Sequence, residues 1–400
     1  MSEIEKRGPL HGIRVLDLTS NISGPSATVI LADLGAEVIK IERPKQGDDA
    51  RGMGPYINGE SAYFLAINRN KQSVVIDIRQ PEGQELIRRL ARQVDVMVEN
   101  FRRGVLEKYG LDAASLSQIN PRLIFCSLSA YGEEGPEREK PGYDAVLQAR
   151  TGMISITGSR PDEPARSGVS VLDMGSGMWS AMAILVALYH RSQTGEGQIV
   201  GTSLYETGIY WMNYHLLAFQ ANGIDPVPQG TSHTAFAPYG AYKTADDLLL
   251  IGISNDSLFR RLAKALDHED WAEDERFVHN HDRLAHRQEL DQLLKDCLEK
   301  KPCEFWLEQL DRAGVPCSRI QRVSQVMNDP QFQALGMMET APHTSIGSVR
   351  VPRLPIRLEK SPSLIKTGAP MIGEHTEELL LRYGLTAEEI KAYREKGIIG

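Results

Sequence analysis

The stretch GIRVLDLTSNISGPSATVILADLGAEVIKIERP, from Gly12 to Pro44, decides the fold. It begins with an apolar, β-rich run, continues with a segment that has Pro25 near its start and Gly35 at its end, and closes with a second apolar run. Proline in the first turn and glycine after the last turn are typical of helix ends. The stretch therefore predicts a strand, a helix and a strand, the βαβ unit of a parallel sheet.

The same alternation continues to about residue 132. PEGQELIRRLARQ predicts a helix, and three further runs predict strands: QSVVIDI, VDVMVENF and RLIFCSLSAYG. Strands that alternate with helices are typical of a doubly wound, Rossmann-like α/β fold. The first turn after a strand, TSNISGPSA, holds only Gly24 and lacks the G-x-G-x-x-G pattern of dinucleotide sites, so we expect no NAD.

The composition changes after about Asn222, where NGIDPVPQGTSHTAFAPYG is rich in glycine, proline and serine, as linkers and loops are. The next residues, GAYKTADDLLLIGIS, predict a hairpin, and a charged helical region follows. GVPCSRI and SVRVPRLPIRL predict short strands, and GLTAEEIKAYREKG predicts a closing helix. We therefore expect a large α/β domain formed by residues 1–224 and 331–400, and a smaller α+β domain formed by residues 225–330.

The overall composition excludes some classes of protein. The chain has 400 residues, of which 41% are hydrophobic and 24% charged, as in soluble globular proteins. Its 45 basic and 53 acidic side chains give a net charge of −8, whereas nucleic-acid-binding proteins usually carry a basic excess. We therefore expect no nucleic-acid partner.

Neither the cysteines nor the apolar segments indicate a metal site or a membrane anchor. The cysteines are Cys126, Cys297, Cys303 and Cys317. They form no C-x-x-C pair and no zinc-finger spacing with histidine, so we expect reduced thiols and no metal. The N-terminal MSEIEKRGPLHG lacks the apolar core of a signal peptide, and the apolar run Met178–Tyr189 is expected to be too short to span a bilayer. These features favour a cytoplasmic protein with no membrane partner.

A single acid, Asp173, lies in GVSVLDMGSGMWSAMAILVALYH (168–190), where an apolar run that predicts a strand meets a long apolar segment that predicts a helix. An aspartate at a helix start is commonly an N-cap that accepts hydrogen bonds from backbone amides. A carboxylate can also attack an acyl carbon and form a covalent intermediate. The neighbouring Gly175, Ser176 and Gly177 would then leave clearance and offer amides to an oxyanion. Spacing alone does not choose between these interpretations.

Cationic side chains follow several predicted strands, in KIERP, NRNKQ and VENFRRG. They are Arg43, Arg69, Lys71, Arg102 and Arg103. In open α/β sheets, ligands bind beyond the carboxyl ends of the strands. Cations that recur there favour a polyanionic ligand such as a phosphate-bearing molecule. The alternative is ordinary solvated surface charge.

Taken together, these stretches resemble the class III CoA-transferases, the family of formyl-CoA transferase and carnitine CoA-transferase. The likeness extends over nearly the whole chain, through LDLTSNISGP, LGAEVIKIERP, NRNKQSVVIDI, VENFRRG, SAYGEEGP, PGYDAVLQARTGM, DMGSGMWSAMAILVAL, TGEGQ, APYGAY, AGVPCSRI and IGEHTEE. The resemblance implies that acyl-CoA is a substrate and that Asp173 is the nucleophile. It also implies an interlocked homodimer of two open rings threaded through each other.

The resemblance further implies which residues bind coenzyme A. The positions that match the family are Ile22, Ser23, Arg43, Ile76, Ile78, Arg79, Asn100, Phe101, Arg102, Lys108, Lys140 and Tyr143. Asp144 matches an acidic position close to the nucleophile. It is a candidate substrate-binding residue, as is His233 in the loop GTSHTAFAPYG.

Two departures from formyl-CoA transferase bear on the substrate. The region that would carry its run of glycines reads QGTSHTAFAPYG here, and Ile22 replaces a glutamine. Both differences argue against oxalate. GTSHTAFAPYGAYKT is nearer to family members that use succinyl-CoA with a dicarboxylic acid such as glutarate.

Several alternatives remain open at this point. They include a formyl-CoA:oxalate CoA-transferase, a nucleotide-binding oxidoreductase and a CoA-binding protein without activity. An α-methylacyl-CoA racemase would share the fold, but related racemases have histidine where this chain has Tyr143, and a phenol is a poor base near neutral pH.

Overall fold

The computed structural model describes residues 7–400. The chain folds into two compact units. Unit 1 comprises the described part of Met1–Thr151, together with Ser167–Leu216 and Gly336–Gly400. Unit 2 comprises Gly152–Arg166 and Leu217–Leu335. Each unit therefore draws on segments that are distant in the sequence.

A parallel sheet of six strands forms the centre of unit 1, in the spatial order β10–β7–β6–β1–β2–β5. The strands of the described chain are β1 (Arg14–Asp17), β2 (Glu37–Glu42), β3 (Tyr56–Ile57), β4 (Glu60–Ser61), β5 (Lys71–Val75), β6 (Val96–Glu99), β7 (Ile124–Ser129), β8 (Gly158–Arg160), β9 (Glu163–Pro164), β10 (Ile199–Ser203), β11 (Tyr239–Lys243), β12 (Leu248–Gly252), β13 (Cys317–Arg319), β14 (Met338–His343) and β15 (Gly347–Pro352). The predicted α/β fold is confirmed, whereas the edge strand β10 was not predicted.

Helices alternate with these strands as the sequence predicts. They are α1 (Ser23–Asp33), α2 (Ala62–Ile67), α3 (Pro81–Ala91), α4 (Val105–Tyr109), α5 (Ala113–Ile119), α6 (Asp144–Arg150), α7 (Val171–Thr194), α8 (Leu204–Trp211), α9 (Asn213–Asn222), α10 (Asp256–Ala265), α11 (Asn280–Ala285), α12 (Arg287–Leu298), α13 (Cys303–Arg312), α14 (Val323–Val326), α15 (Pro330–Leu335), α16 (Thr376–Arg382) and α17 (Ala387–Glu395). The first βαβ unit has the predicted form, and Gly35 follows α1 at a φ of +98°, which glycine adopts without strain.

The apolar runs of the strands are continuous because both faces of the sheet are covered. Successive residues of a strand point to opposite faces. Accordingly, Leu16 and Ile39 belong to one buried cluster with α3 and α16, whereas Val15 and Val38 belong to another with α1 and α7. The core of unit 1 therefore lies in two layers, one on each side of the sheet.

Helix α7 is the long apolar element that follows Asp173. Within residues 7–400 it is the one helix whose length and composition would suffice to cross a membrane. The predicted apolar run Met178–Tyr189 is part of this helix, which extends beyond the run at both ends. One face of α7, including Ala181 and Ile184, packs in the buried cluster with α1, so α7 is a partly buried core helix.

Unit 2 has its own core. The antiparallel strands β11, β12 and β13 pack with α10, α12 and α13 around buried side chains such as Phe259, Leu290 and Trp306. The predicted hairpin and the helical region after it are confirmed.

Candidate active site

A cavity of about 710 Å³ opens in unit 1 at the carboxyl ends of β1, β6 and β7. In the sheet, β2 lies on one side of β1 and β6 lies on the other. Such a switch point leaves a crevice, because the loops that follow the two strands turn to opposite faces of the sheet. The cavity therefore lies where ligands of doubly wound folds bind.

Asp173 lines this cavity as the third residue of α7. The predicted strand before it is absent from the described chain, since α7 begins at Val171 and Ser170 is its N-cap. The interpretations of Asp173 as a strand–helix junction and as an N-cap are therefore both wrong. We find no hydrogen-bond partner for its carboxyl among residues 7–400.

The start of α7 is capped instead by Asp144, the first residue of α6. Asp144 Oδ2 accepts hydrogen bonds from Leu172 N at 2.7 Å and from Asp173 N at 3.2 Å. The amides of Val171 and Met174 donate to backbone carbonyls. All four amides of the first turn are thus engaged within the protein. Gly175, Ser176 and Gly177 lie inside α7, where each amide bonds the carbonyl four residues earlier, so the predicted offer of their amides to an oxyanion is not met.

Gln148 holds Asp144 in place. Its Nε2 donates to Asp144 Oδ1 at 2.5 Å, and its Oε1 accepts from Ser167 N at 2.9 Å. Asp144 is buried, and these hydrogen bonds fix the position of its carboxyl. Gln148 was not predicted, and the signal for it was its position four residues after Asp144 on one helix face.

Burial raises the pKa of Asp173 to about 7, and the charge of Asp144 adds to this shift. A carboxylate of raised pKa is more basic than an ordinary one, so it is a stronger nucleophile once ionised. The two aspartates therefore differ in their surroundings: Asp144 is a fixed acceptor of hydrogen bonds, and Asp173 is a carboxyl of raised pKa that lines a cavity.

The small residues after Asp173 serve helix packing rather than clearance for a ligand. A Cβ on Gly175 would lie 2.3 Å from the Trp211 ring, and a Cβ on Gly177 would lie 2.7 Å from Ser26 Cβ and 2.8 Å from the Ser23 carbonyl oxygen. Ser176 is buried. The expectation of open space at these positions is wrong, because α8 and α1 occupy it.

Seven of the predicted coenzyme A residues line the cavity with Asp173. They are Ile22, Ser23, Asn100, Phe101, Arg102, Lys140 and Tyr143. Lys140 Nζ lies 2.9 Å from Glu137, and Tyr143 is 72% exposed. The amide of Asn100 is already bonded to the backbone of Ser20, through two hydrogen bonds of 2.9 Å.

The other five predicted residues lie outside the cavity lining. They are Arg43, Ile76, Ile78, Arg79 and Lys108. Arg43 pairs with Asp49, and Arg79 bonds Asp77 at 2.8 Å. Ile76 is 1% exposed in the core, so its prediction as a nucleotide contact fits poorly with its burial. Ile78 packs against the same core, and the Lys108 ammonium lies 5.8 Å from the Tyr109 ring centre.

Two of the cations predicted at strand ends form internal ion pairs. Arg69 contacts Asp33 at 2.5 Å and Lys71 contacts Asp17 at 3.1 Å, with all four side chains buried. Their prediction as ligand-binding cations is wrong, because they compensate buried carboxylates. Burial lowers the pKa of Lys71 to about 8 although Asp17 opposes the shift.

His233 belongs to unit 2. Its Nδ1 accepts from Ala235 N at 3.0 Å, and its ring lies 5.0 Å from the Phe236 ring and 5.3 Å from the Tyr239 ring. These contacts of the imidazole all lie within its own loop.

The cavity also contains residues that the sequence did not single out. Glu99 ends β6, and burial raises its pKa to about 7 although Ser127 and the Phe101 amide stabilise its charge. Arg138 adds a cation to the lining, which also contains the predicted cation Arg103. Because the pKa of Glu99 lies near 7, its charge toward an anionic ligand depends on the pH in the neutral range.

No metal site emerges from residues 7–400, where we find no group of three His, Cys, Asp or Glu side chains placed to hold an ion.

Comparison with known proteins gives the family. The sequence profile of CoA-transferase family III matches residues 10–376. The chain is 37% identical to the succinate–glutarate CoA-transferase of Agrobacterium fabrum, over 94% of this chain and 96% of the relative. It is 35% identical to the acetyl-CoA:oxalate CoA-transferase of Acetobacter aceti, over 96% and 98%. The crystal structure of a CAIB/BAIF family protein from Brucella suis superposes with a TM-score of 0.86 at 36% identity, over 94% of this chain and 100% of that one.

The chain therefore belongs to CoA-transferase family III. It is a CoA-transferase, so acyl-CoA and a carboxylate are its substrates. The alternatives of an oxidoreductase and of a CoA-binding protein without activity are excluded by this result.

Proposed function

We propose that this enzyme moves CoA from a donor of the succinyl-CoA type to a small carboxylate or dicarboxylate, with Asp173 as the covalent nucleophile. One observation carries the proposal: the Asp173 carboxyl lines the cavity at the switch point and has a pKa of about 7. Such a carboxyl is substantially ionised near neutral pH and more basic than a surface aspartate. No observation favours the racemase alternative, because Tyr143 offers no imidazole.

The proposed reaction forms two anhydrides and one thioester on Asp173. The carboxylate attacks the thioester carbonyl, the C–S bond breaks, and CoA leaves as a thiolate. The thiolate then attacks the aspartyl carbonyl and releases the donor acid, which leaves an aspartyl-CoA thioester. The acceptor carboxylate attacks that thioester and expels the thiolate. The thiolate finally attacks the acceptor acyl carbon and returns Asp173 as a carboxylate.

Asp144 supports these steps by its position. Its bonds to the Leu172 and Asp173 amides fix the first turn of α7, and its charge disfavours ionisation of Asp173. When Asp173 is acylated it loses its charge, and the repulsion between the two carboxylates ends. The pair therefore destabilises the free carboxylate relative to the acylated enzyme, which promotes attack.

The coenzyme A site is proposed to include the seven predicted residues that line the cavity. Arg102 and Lys140 supply positive charge there, and phosphates bind such cations. We retain Arg43, Ile78, Arg79 and Lys108 as proposed contacts of the nucleotide beyond the cavity, but not Ile76, whose side chain is buried in the core. We likewise propose that the large domain (1–224 and 331–400) binds CoA, and that His233 of the small domain (225–330) contacts the acid.

The donor and acceptor are proposed from the relatives. The Agrobacterium relative is named for succinate and glutarate, and the Acetobacter relative for acetyl-CoA and oxalate. A panel of succinyl-, acetyl- and formyl-CoA against glutarate, oxalate and monocarboxylates separates these options. We expect the highest kcat/KM with succinyl-CoA and a dicarboxylate. A higher value for formyl-CoA with oxalate would instead support the alternative.

We also propose a cytoplasmic homodimer, interlocked as the family resemblance implies. An apolar face of α7, here named the methionine face, supports it: Met174, Met178, Met182, Val186 and Tyr189 are between 47% and 71% exposed. Contiguous exposed apolar side chains at a spacing of four residues or fewer are typical of protein interfaces. A second copy of the chain is the proposed partner.

Replacing the nucleophile tests the proposal. We expect Asp173→Asn to lower kcat at least about 10⁴-fold, because the covalent path is lost, with KM and CoA affinity little changed. Mass spectrometry after mixing the wild-type enzyme with acyl-CoA should find a CoA adduct on the peptide that contains Asp173. Hydroxylamine should release that adduct.

Asp225→Asn is the matched control, because Asp225 is exposed on a loop of unit 2. It should retain full activity. Transfer at the wild-type rate by Asp173→Asn, or an adduct on another residue, would overturn the mechanism.

A further inference from the structure

The loop between β1 and α1 forms one wall of the cavity, with Ser20, Asn21, Ile22 and Ser23 in the lining. A loop wall moves easily unless its backbone is fixed. The fixing groups here are side chains from other segments of the chain.

Five consecutive backbone polar atoms of this loop are bonded to such side chains, at 2.9 Å each. Thr19 N donates to Asp17, Thr19 O accepts from Lys40 Nζ, Ser20 N and O bond the Asn100 amide, and Asn21 N donates to Asp48 Oδ1. Asn21 has a φ of +65°, a left-handed conformation that asparagine adopts more readily than most residues other than glycine. The five hydrogen bonds hold the loop in this conformation.

Lys40 and Asp48 supply two of these bonds and also pair with each other. Lys40 Nζ lies 2.7 Å from Asp48 Oδ2, and the two side chains are 0% and 1% exposed. Asp48 Oδ1 also accepts from Ala50 N at 2.9 Å, which fixes the segment that places Met53 in the cavity lining. The ion pair thus connects two segments that line the cavity: the loop after β1 and the segment that contains Met53.

Stability alone does not account for a buried pair of this kind. Removing two charges from water is unfavourable, and an apolar pair of similar volume is often as stable or more so. Charged groups, however, bind backbone atoms at fixed positions, which apolar groups cannot do. The loop also reaches the nucleophile, because the Ser23 carbonyl oxygen packs against Gly177, one turn after Asp173.

We propose that Lys40 and Asp48 are positioning residues of the acyl-CoA site, which hold the loop of residues 19–23 in the conformation that binds CoA. This inference rests on the proposed function, in which the cavity binds acyl-CoA. Neither residue lines the cavity, so their effect on the ligand acts through the loop.

The double variant Lys40→Met/Asp48→Asn tests the proposal. The methionine removes the charge of Lys40 and its hydrogen bond to Thr19 O. The asparagine removes the charge of Asp48 but keeps an oxygen that can accept from the Asn21 and Ala50 amides. We expect the Kd for CoA and the KM for acyl-CoA to rise about tenfold while kcat changes less than about twofold. Amide hydrogen exchange of residues 19–23 should accelerate, with the rest of unit 1 unchanged.

The matched control removes a buried ion pair at the other end of α1. Arg69→Met/Asp33→Asn should lower the melting temperature but leave the Kd for CoA and the exchange of residues 19–23 unchanged. If the test variant does not fold, Asp48→Asn alone serves, with a smaller rise in Kd expected.

Unchanged Kd and unchanged exchange in a folded test variant would overturn the proposal. So would an equal rise in Kd for the control. If the wild-type protein does not bind CoA, the proposed function is wrong. The amide hydrogen exchange of residues 19–23, compared between the test variant and the wild type, would then show whether the ion pair holds the loop.

Discussion

Asp144 and Asp173 are neighbouring acids with different surroundings. Asp144 accepts hydrogen bonds from two backbone amides and from the Gln148 amide. Asp173 lines the cavity, and desolvation together with the charge of Asp144 raises its pKa to about 7. A carboxyl in a cavity whose pKa is raised in this way is typical of a catalytic site.

Removing the charge of Asp144 should shift the pH dependence of transfer. In the proposed mechanism Asp173 acts as a carboxylate, so we expect the wild-type kcat/KM to fall as the pH decreases through about 7. In Asp144→Asn the amide oxygen can still accept the two amides, but the repulsion is gone. We expect the acid limb of the kcat/KM profile to move down by roughly half to one pH unit, since the effect of burial remains.

A matched variant separates charge from capping. Asp144→Ala loses both, so it should show the same pH shift together with a loss of stability of about 1 kcal/mol, measured by urea unfolding. A kcat/KM profile of Asp144→Asn with the wild-type midpoint would mean that Asp144 does not control the ionisation of Asp173.

The family resemblance led to Asp173 as the proposed nucleophile, but the sequence could not show how the site is held. The cap on α7 comes from Asp144, 29 residues away, and Gln148 is located by its contacts with both Asp144 and Ser167. Arg69 and Lys71 were misread for the same reason, because their carboxylate partners lie 36 and 54 residues away. Local patterns do not record such distant partners.

At the level of elements, the strand predicted before Asp173 shows how tertiary contacts override local preference. Val169 and Val171 favour strands by their branched side chains. Helix α7 nevertheless begins at Val171, because Asp144 satisfies the amides of its first turn and its glycines pack closely on α1 and α8. By contrast, the first βαβ unit was predicted well, since its signals are all local.

The close contact between α7 and α1 should depend on Gly177. A methyl group there would meet Ser26 Cβ and the Ser23 carbonyl oxygen inside van der Waals distance, and backbone does not yield as a flexible side chain does. We expect Gly177→Ala to lower the free energy of unfolding by about 1–3 kcal/mol, measured by urea denaturation.

Gly168→Ala is the control for this substitution, because no atom lies within 4 Å of a Cβ at that position. It should change stability by less than about 0.5 kcal/mol. Equal stability of the two variants would show that the helices can separate at no cost.

At the level of the whole chain, the sequence predicted the kind of sheet but not its order. Alternating strands and helices imply a parallel sheet, whereas the edge position of β10 depends on α7 crossing one face of the sheet before the chain returns beside β7. The membership of unit 2 likewise includes Gly152–Arg166, which precedes Asp173 in sequence. The order of the sheet and the membership of unit 2 depend on contacts between distant segments, and the hydrophobic periodicity of the sequence does not show these contacts.

The methionine face leads to a prediction about assembly. Its five apolar side chains recur at intervals of three or four residues along α7 and are largely exposed in the single chain, so a second copy would remove them from water. We expect the wild type to sediment as a dimer and Met178→Lys/Met182→Lys to sediment as a monomer, because two lysines would be buried without partners.

Gln193→Lys adds a charge to an exposed position of the same helix and should remain dimeric. A monomeric wild type, or a double variant that stays dimeric, would reject this face as the interface.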